Sequence, residues 1–393
     1  MISENLKYSI YALTAVCVIG SCSSESPDGQ SEDTQEVEFT TGSGSRSAVT
    51  TTSNLTGKAF AVYGDMKPID ATAEALSTIV FNKEQVAFQS NSKSWKYGRS
   101  IYWFPSHQHS FVALHPFEAI GTTAAGKTTV TNVRYQDGTL SFSYTHPADY
   151  KNASDVLVAT HRRDYVPELG KKADPVNFTF EHTMAVLDIV AKYTEPLVYG
   201  NQNNRIEIQE VILDSINVSG NYSIRPDDLT QGTDRTSTHD ATGKWTDLKS
   251  GSRSFKGSRY SNINDAIVNT YQNPNNIPFR RLYSNSDDFI VLPKEKGDVK
   301  MTVKFDLYVN MVKVAEHTLS TVFEDAEWKA GQKIRYELIF SVGEILQGGT
   351  YVEEYRNVDD LVETIDDMSS DHGAGSGSLS TNNGWTNISL GEQ

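Results

Sequence analysis

The stretch Asp298-Val299-Lys300-Met301-Thr302-Val303-Lys304-Phe305-Asp306-Leu307-Tyr308-Val309 decides the fold class. Val299, Met301, Val303, Phe305, Leu307 and Val309 share one parity. Lys300, Thr302, Lys304, Asp306 and Tyr308 share the other. Successive side chains of a strand point to opposite faces, so this run sets one face on a core and one in water. Lys333–Val342 repeats the arrangement with Ile334, Tyr336, Leu338, Phe340 and Val342. Strict alternation of this length predicts an antiparallel sandwich.

Shorter strands precede these two. Phe60, Val62 and Tyr63-Gly64 form one. Ile79–Phe81 and Val86–Phe88 read as a hairpin-like pair around Asn82-Lys83-Glu84-Gln85. Trp95–Tyr97, Ile101–Phe104 and Phe111–Leu114 follow, punctuated by Gly98, Pro105 and Pro116. Gln136-Asp137-Gly138 predicts a turn between Thr129–Tyr135 and Leu140–Tyr144, because Asp-Gly favours positive φ. Asp155–Thr160 is one more strand. Short strands with turn signals at this spacing read as all-β. The polar segment Arg162–Pro175 predicts a domain boundary. Beyond it, Val176–Val190 reads as one strand with Phe178, Phe180, His182, Met184 and Val186 on one face. Ile206–Ile216 is another, and its parity slips, which predicts a bulge near Glu210. Asn221–Ile224 and Trp245 are short, and 226–278 reads as long polar loops. Length favours two domains. The expected division is 1–22 leader, 23–56 tether and first strand, 57–172 N-terminal sandwich, 173–345 C-terminal sandwich and 346–393 tail.

The leader carries Ile19-Gly20-Ser21-Cys22 behind a short apolar run from Ile10 and a single Lys7. This is a secretory signal with small residues at the cut and a cysteine just after it. The run is too short for a permanent membrane span, which takes about 20 residues. Cleavage before Cys22 and lipidation of its thiol are expected, with an ordinary signal peptide as the other reading. The chain has 2 cysteines, Cys17 and Cys22. Cys17 leaves with the signal, so the mature body has no thiol for disulfides, thiolate metal sites or a cysteine nucleophile. The net charge is −15, from 35 basic and 50 acidic residues. That argues against nucleic acid and anionic membrane surfaces as partners. Ser23–Glu36 is an acidic tether. Val37 and Phe39 alternate with Glu38 and Thr40 as a short strand. Gly42-Ser43-Gly44-Ser45-Arg46 is an exposed link that offers Arg46 to a trypsin-like protease, or is simply a linker.

No nucleophile elbow, phosphate loop or HExxH is present, and no enzymatic activity is expected. His107 and His109 would project on one strand face, as a metal pair can, though such a pair more often sits in a turn. No metal or cofactor is expected. His182, among Phe178, Phe180 and Met184, reads as a hydrogen-bonded core histidine, and His115 before Pro116 reads the same way. Asp287-Asp288 and Asp366-Asp367 read as solvated loop acids. Tyr102, Trp103 and Trp245 could stack on sugars or belong to the core. The tail holds a short amphipathic helix over Val358, Leu361, Val362 and Ile365, then a Gly373–Gly377 link. It ends with the strand-like Trp385-Thr386-Asn387-Ile388-Ser389-Leu390. An isolated strand of that kind is not stable alone, so it folds back or adds to a sheet edge, in this molecule or another.

Taken together, these pieces resemble the fimbrillin family, the type V pilus subunits of anaerobic gut and oral Gram-negative bacteria. The resemblance spans nearly the whole chain. It is carried by the lipobox, the linker arginine, Phe60-Ala61-Val62-Tyr63-Gly64, Trp95-Lys96-Tyr97, Tyr102-Trp103-Phe104-Pro105 and Phe111-Val112-Ala113. It continues through Asp155–Ala159, Val176–His182, Ile290–Pro293 and Trp328–Tyr336. It implies two tandem transthyretin-like antiparallel β-sandwiches and a lipid-anchored precursor at the outer membrane and cell surface. It also implies other pilin subunits and a trypsin-like processing protease as partners. By position, Arg46 would be cut, Val37–Thr40 would belong to the departing first strand, and a strand from the next subunit would fill the groove. Trp385, Ile388 and Leu390 are the candidate donor residues. The long tail leaves stalk, anchor and tip positions open. A monomeric surface lipoprotein that binds a glycan or host ligand through loop aromatics is the alternative.

Overall fold

The computed structural model describes residues 35–41, 58–71, 76–121, 129–148, 152–193, 205–226, 243–256, 279–282, 289–340, 345–354 and 386–387. The elements are β1 (Phe39–Thr41), β2 (Phe60–Pro68), β3 (Thr78–Gln89), β4 (Ser94–Lys96), β5 (His107–His115), β6 (Val130–Gln136) and β7 (Thr139–Thr145). They continue with β8 (Leu157–Tyr165), β9 (Val176–Phe178), β10 (Glu181–His182), β11 (Ala185–Tyr193), β12 (Arg205–Ile224) and β13 (Lys244–Lys256). The last are β14 (Arg280–Arg281), β15 (Phe289–Val291), β16 (Lys294–Val309), β17 (Val312–Trp328), β18 (Gln332–Phe340), β19 (Ile345–Glu354) and β20 (Thr386–Asn387). A 3-10 turn, Phe117–Ala119, follows β5. The fold is all-β, as the alternating runs predict.

A first sheet has the order β10-β8-β5-β2-β3-β4, every pair antiparallel. It is buried on both faces. Phe60, Val62, Phe111, Ala113, Leu157 and Ala159 enter one cluster, while Ala61, Tyr63, Val112, Leu114 and Val158 enter another. Double burial explains why Phe60–Tyr63, Phe111–Leu114 and Val156–Ala159 are continuous apolar runs. On its first face lies the small parallel pair β1-β9. On its second face lie Leu140, Phe142 and Tyr144 of β7 with Tyr222 and Ile224 of β12.

The third cluster lies between β11-β18 and β12-β16. Val299, Met301, Val303, Phe305 and Leu307 are its floor, as their parity requires. Trp328 donates its indole N–H to the Tyr336 hydroxyl at 3.0 Å inside it. The 20-residue β12 ties this core to the second one. Its residues 205–214 pair with β16 and 219–224 with β7, while β13 takes the opposite edge.

Six expectations need correction. Ile101–Phe104 is not a strand and carries only the bridge from Tyr102 to Glu36, and Asn221–Ile224 is the end of the 20-residue β12 rather than a separate short strand. Asn82–Gln85 is no turn: β3 runs straight through and pairs with β2 on both sides of a bulge, where Lys83 takes φ 56°. Two residues there oppose one, so the extra residue is absorbed without reversing the chain. Val176–Val190 is three strands rather than one. Phe178 and Phe180 fill the first cluster, Met184 the second, and Ala185 and Leu187 the third, so no single face holds Phe178, Phe180, His182, Met184 and Val186. Thr183, bonded to the Val156 carbonyl by its amide at 3.0 Å and its hydroxyl at 2.7 Å, marks the step between cores. Within 226–278, Lys244–Lys256 is a strand rather than loop. The tail begins with β19, which pairs along the whole of β18. The predicted turn at Asp137-Gly138 stands, with φ 48° and 74°. The bulge near Glu210 also stands, between Ile208 and Glu210.

Candidate functional site: the strand that closes the first core

Gln35–Thr41 lies between two stretches of chain far away in sequence. On one side it meets Ile101–Trp103. The Val37 amide donates to the Ile101 carbonyl at 2.8 Å, and the Trp103 amide donates to Gln35 at 2.9 Å. Glu36 forms an antiparallel bridge with Tyr102. On the other side, Phe39, Thr40 and Thr41 run parallel to Val176, Asn177 and Phe178, and the Val176 amide donates to Glu38 at 2.7 Å. Both backbone edges of the segment are therefore used, as in an inserted strand.

Its side chains alternate as a strand's must. Val37 and Phe39 are 1% and 3% exposed. The Phe39 ring sits among Phe81 at 5.4 Å, Tyr97 at 5.5 Å, Phe178 at 5.6 Å and Phe111 at 6.1 Å. The Tyr97 hydroxyl donates to the Val37 carbonyl at 2.6 Å. Burial, with Glu36 nearby, raises the pKa of that phenol, so it stays a donor at neutral pH. Thr41 Oγ1 accepts the indole N–H of Trp95 at 3.2 Å. On the solvent side Lys172 pairs with Glu38 at 2.9 Å, and Gln35 exchanges bonds with the Lys171 carbonyl and the Ala173 amide. Full burial of two such side chains stabilises the fold by roughly 1.5–3 kcal/mol each.

Cys22, Arg46, Trp385, Ile388 and Leu390 lie outside the described residues, as do the Asp287-Asp288 and Asp366-Asp367 pairs and the expected 358–365 helix. Between the donor candidates, Thr386 and Asn387 pair with Val352 and Tyr351 of β19. Both His107 and His109 are on β5. The buried His109 ring sets Nε2 3.3 Å from both the amide and carbonyl of Phe104, and His107 Nδ1 is 2.7 Å from the Pro105 carbonyl. Among the described residues no three or more His, Cys, Asp or Glu gather as a metal site. His182 is the expected bonded core histidine, with Nδ1 2.5 Å from Asp155. His115 is buried as expected, but neither of its ring nitrogens has a hydrogen-bond partner among the described residues, and burial lowers its pKa to about 4. Trp103 is core, and Trp245 packs beside the second cluster with its indole N–H on the Thr183 carbonyl at 2.7 Å. Only Tyr102 of those three is exposed.

The sequence marked Val37–Thr40 as a strand but held no signal for its partners. Trp95, Tyr97, Lys172 and Ala173 hold the segment through separations of 54 to 138 residues.

In this all-β body the first core is closed by an N-terminal strand hydrogen-bonded on both edges. The chain is a member of the Fimbrillin-like family, whose model matches residues 45–354. Among solved structures, a fimbrial protein from Bacteroides vulgatus ATCC 8482 superimposes with a TM-score of 0.51 at 16% identity, covering 82% of this chain and 99% of that one. A candidate cell adhesion protein from Bacteroides uniformis ATCC 8492 gives a TM-score of 0.42 at 15% identity, with 82% and 99% covered. At 16% identity the likeness to the first of these concerns the fold alone. No curated protein matches the chain.

Proposed function

We propose that this chain is a structural subunit of a cell-surface fimbria, exported as a lipoprotein through Cys22 to the outer membrane. A trypsin-like protease then cuts after Arg46, Gln35–Thr41 departs with the tether that precedes it, and a strand from another subunit takes its place. The observation that carries this reading is the Gln35–Thr41 segment. It is hydrogen-bonded on both edges and buried through Val37 and Phe39. Its departure would leave the amides of Trp103 and Val176 unpaired beside an aromatic trough. An added strand would satisfy both needs at once. Trp385–Leu390 is the proposed donor. No catalytic role is assigned.

The test is limited trypsin digestion of the body from Ser23, followed by intact mass and size-exclusion analysis. A single cut after Arg46, followed by ladders or filaments, is the expected outcome. A body that loses Gln35–Thr41 and stays monomeric at every concentration would overturn the strand-exchange reading.

A further inference from the structure

We propose that the trough now filled by β1 selects a strand of pattern Val/Ile-x-Phe-x-Thr/Ser. This chain's own tail is then the weaker occupant, and a different subunit whose strand carries phenylalanine is the preferred partner. The inference rests on the strand-exchange reading above and adds the chemistry of the incoming strand.

Three same-face positions are read. The first holds Val37, 1% exposed within the first apolar cluster. The second holds Phe39 within four rings. Phe178 stacks on it at an interplanar angle of 15°, while Phe81, Tyr97 and Phe111 present edges at 72°, 63° and 85°. Stacked and edge-on contacts both require a flat ring in that site, because its faces and rim carry opposite partial charge. An aliphatic side chain there fills part of the volume and loses those contacts. The third holds Thr41, whose hydroxyl accepts the N–H of the buried Trp95.

The tail reads Ile388-Ser389-Leu390-Gly391-Glu392. Set in the same phase, it offers Ile at the first site, Leu in the ring cage and a carboxylate beside Trp95. Trp385 cannot mend the mismatch. Three residues before Ile388, it points to the opposite face in that phase, and the register that sets it in the ring cage puts Asn383 at the buried first site. Side chains one or two methylenes short in an apolar pocket lose tenfold or more in affinity. The tail is therefore expected to bind at least about tenfold more weakly than the Gln35–Thr41 sequence.

The experiment uses the full chain cut after Arg46, through a specific protease site placed there if trypsin is not selective. Fluorescently labelled peptides are titrated against it by anisotropy, with uncut protein as control. The peptides are residues 35–44, the same with Phe39→Leu, and residues 384–393. Tight binding of the first, with the other two weaker by about tenfold or more, is expected. Equal affinity of either weaker candidate would overturn the proposed selectivity while leaving strand exchange intact. If no peptide binds, including 35–44 itself, the trough is not an acceptor and the underlying reading fails with it.

Discussion

The Tyr97 hydroxyl reaches across 60 residues of sequence to donate to the Val37 carbonyl at 2.6 Å, inside a core where Tyr97 also packs edge-on against Phe39. One side chain thus grips both the backbone and the ring of the inserted strand. Replacing Tyr97 by Phe keeps the ring and removes the bond. The expected loss is about 1–2 kcal/mol, as for a buried hydrogen bond whose acceptor is left behind. Urea unfolding of intact protein measures it, and an unchanged midpoint would show that the bond contributes nothing net.

Phe39→Ala empties the ring cage. Large-to-small changes at buried phenylalanine cost about 3–5 kcal/mol. Thr40, exposed on the neighbouring position, should tolerate Ala within about 0.5 kcal/mol. The contrast between these adjacent residues in one denaturation series tests the facing of β1. Equal effects would mean that the strand is not seated as described.

Asp188, 1% exposed, holds Arg281 at 2.8 Å and Arg335 at 3.0 Å. Removing it takes the buried carboxylate away from both guanidinium groups. Asp188→Ala is expected to cost about 3–5 kcal/mol, well above the change for an exposed pair such as Lys171–Glu168. Thermal unfolding of the two variants side by side is the measurement.

Burial lowers the pKa of His109 and His115 from 6.5 to about 4, and that of His146 lies well below 6.5 for the same reason. Their neutral forms belong to the folded state. The unfolded chain takes up protons at these sites below pH 6.5 and the folded chain does not until about pH 4. Stability is therefore full above pH 6.5 and falls as pH drops through that window. His109 and His115 each lose on the order of 2–3 kcal/mol by pH 4.5. Urea midpoints at pH 7 and 4.5 should separate, and His115→Gln should narrow the gap. An unchanged gap in that variant would remove His115 from the account.

Much of this architecture is legible in the sequence because parity is a local property. Met301 and Phe305 announce their facing, and Asp137-Gly138 announces its turn. What stays hidden is set by partners remote in the chain. The alternation at Asn82–Gln85 breaks in the same way for a turn and for a bulge, and only pairing with Val62 and Gly64 decides between them. Val176–Val190 reads as one strand because its apolar period is unbroken. Its division follows from three separate cores competing for Phe180, Met184 and Leu187. At the candidate site, the short alternation of Val37 and Phe39 gave the inserted strand away, whereas nothing near Tyr97 or Lys172 says that either would hold it.

The continuous strand β12, paired with β16 through Asp214 and with β7 from Ser219, has a mechanical consequence. Twenty residues of strand span roughly 65 Å. A pull along that axis loads its ladder in shear, with many bonds sharing the tension at once, and reaches both cores through one covalent cable. Rupture then requires the ladder to fail as a block rather than unzip from an end.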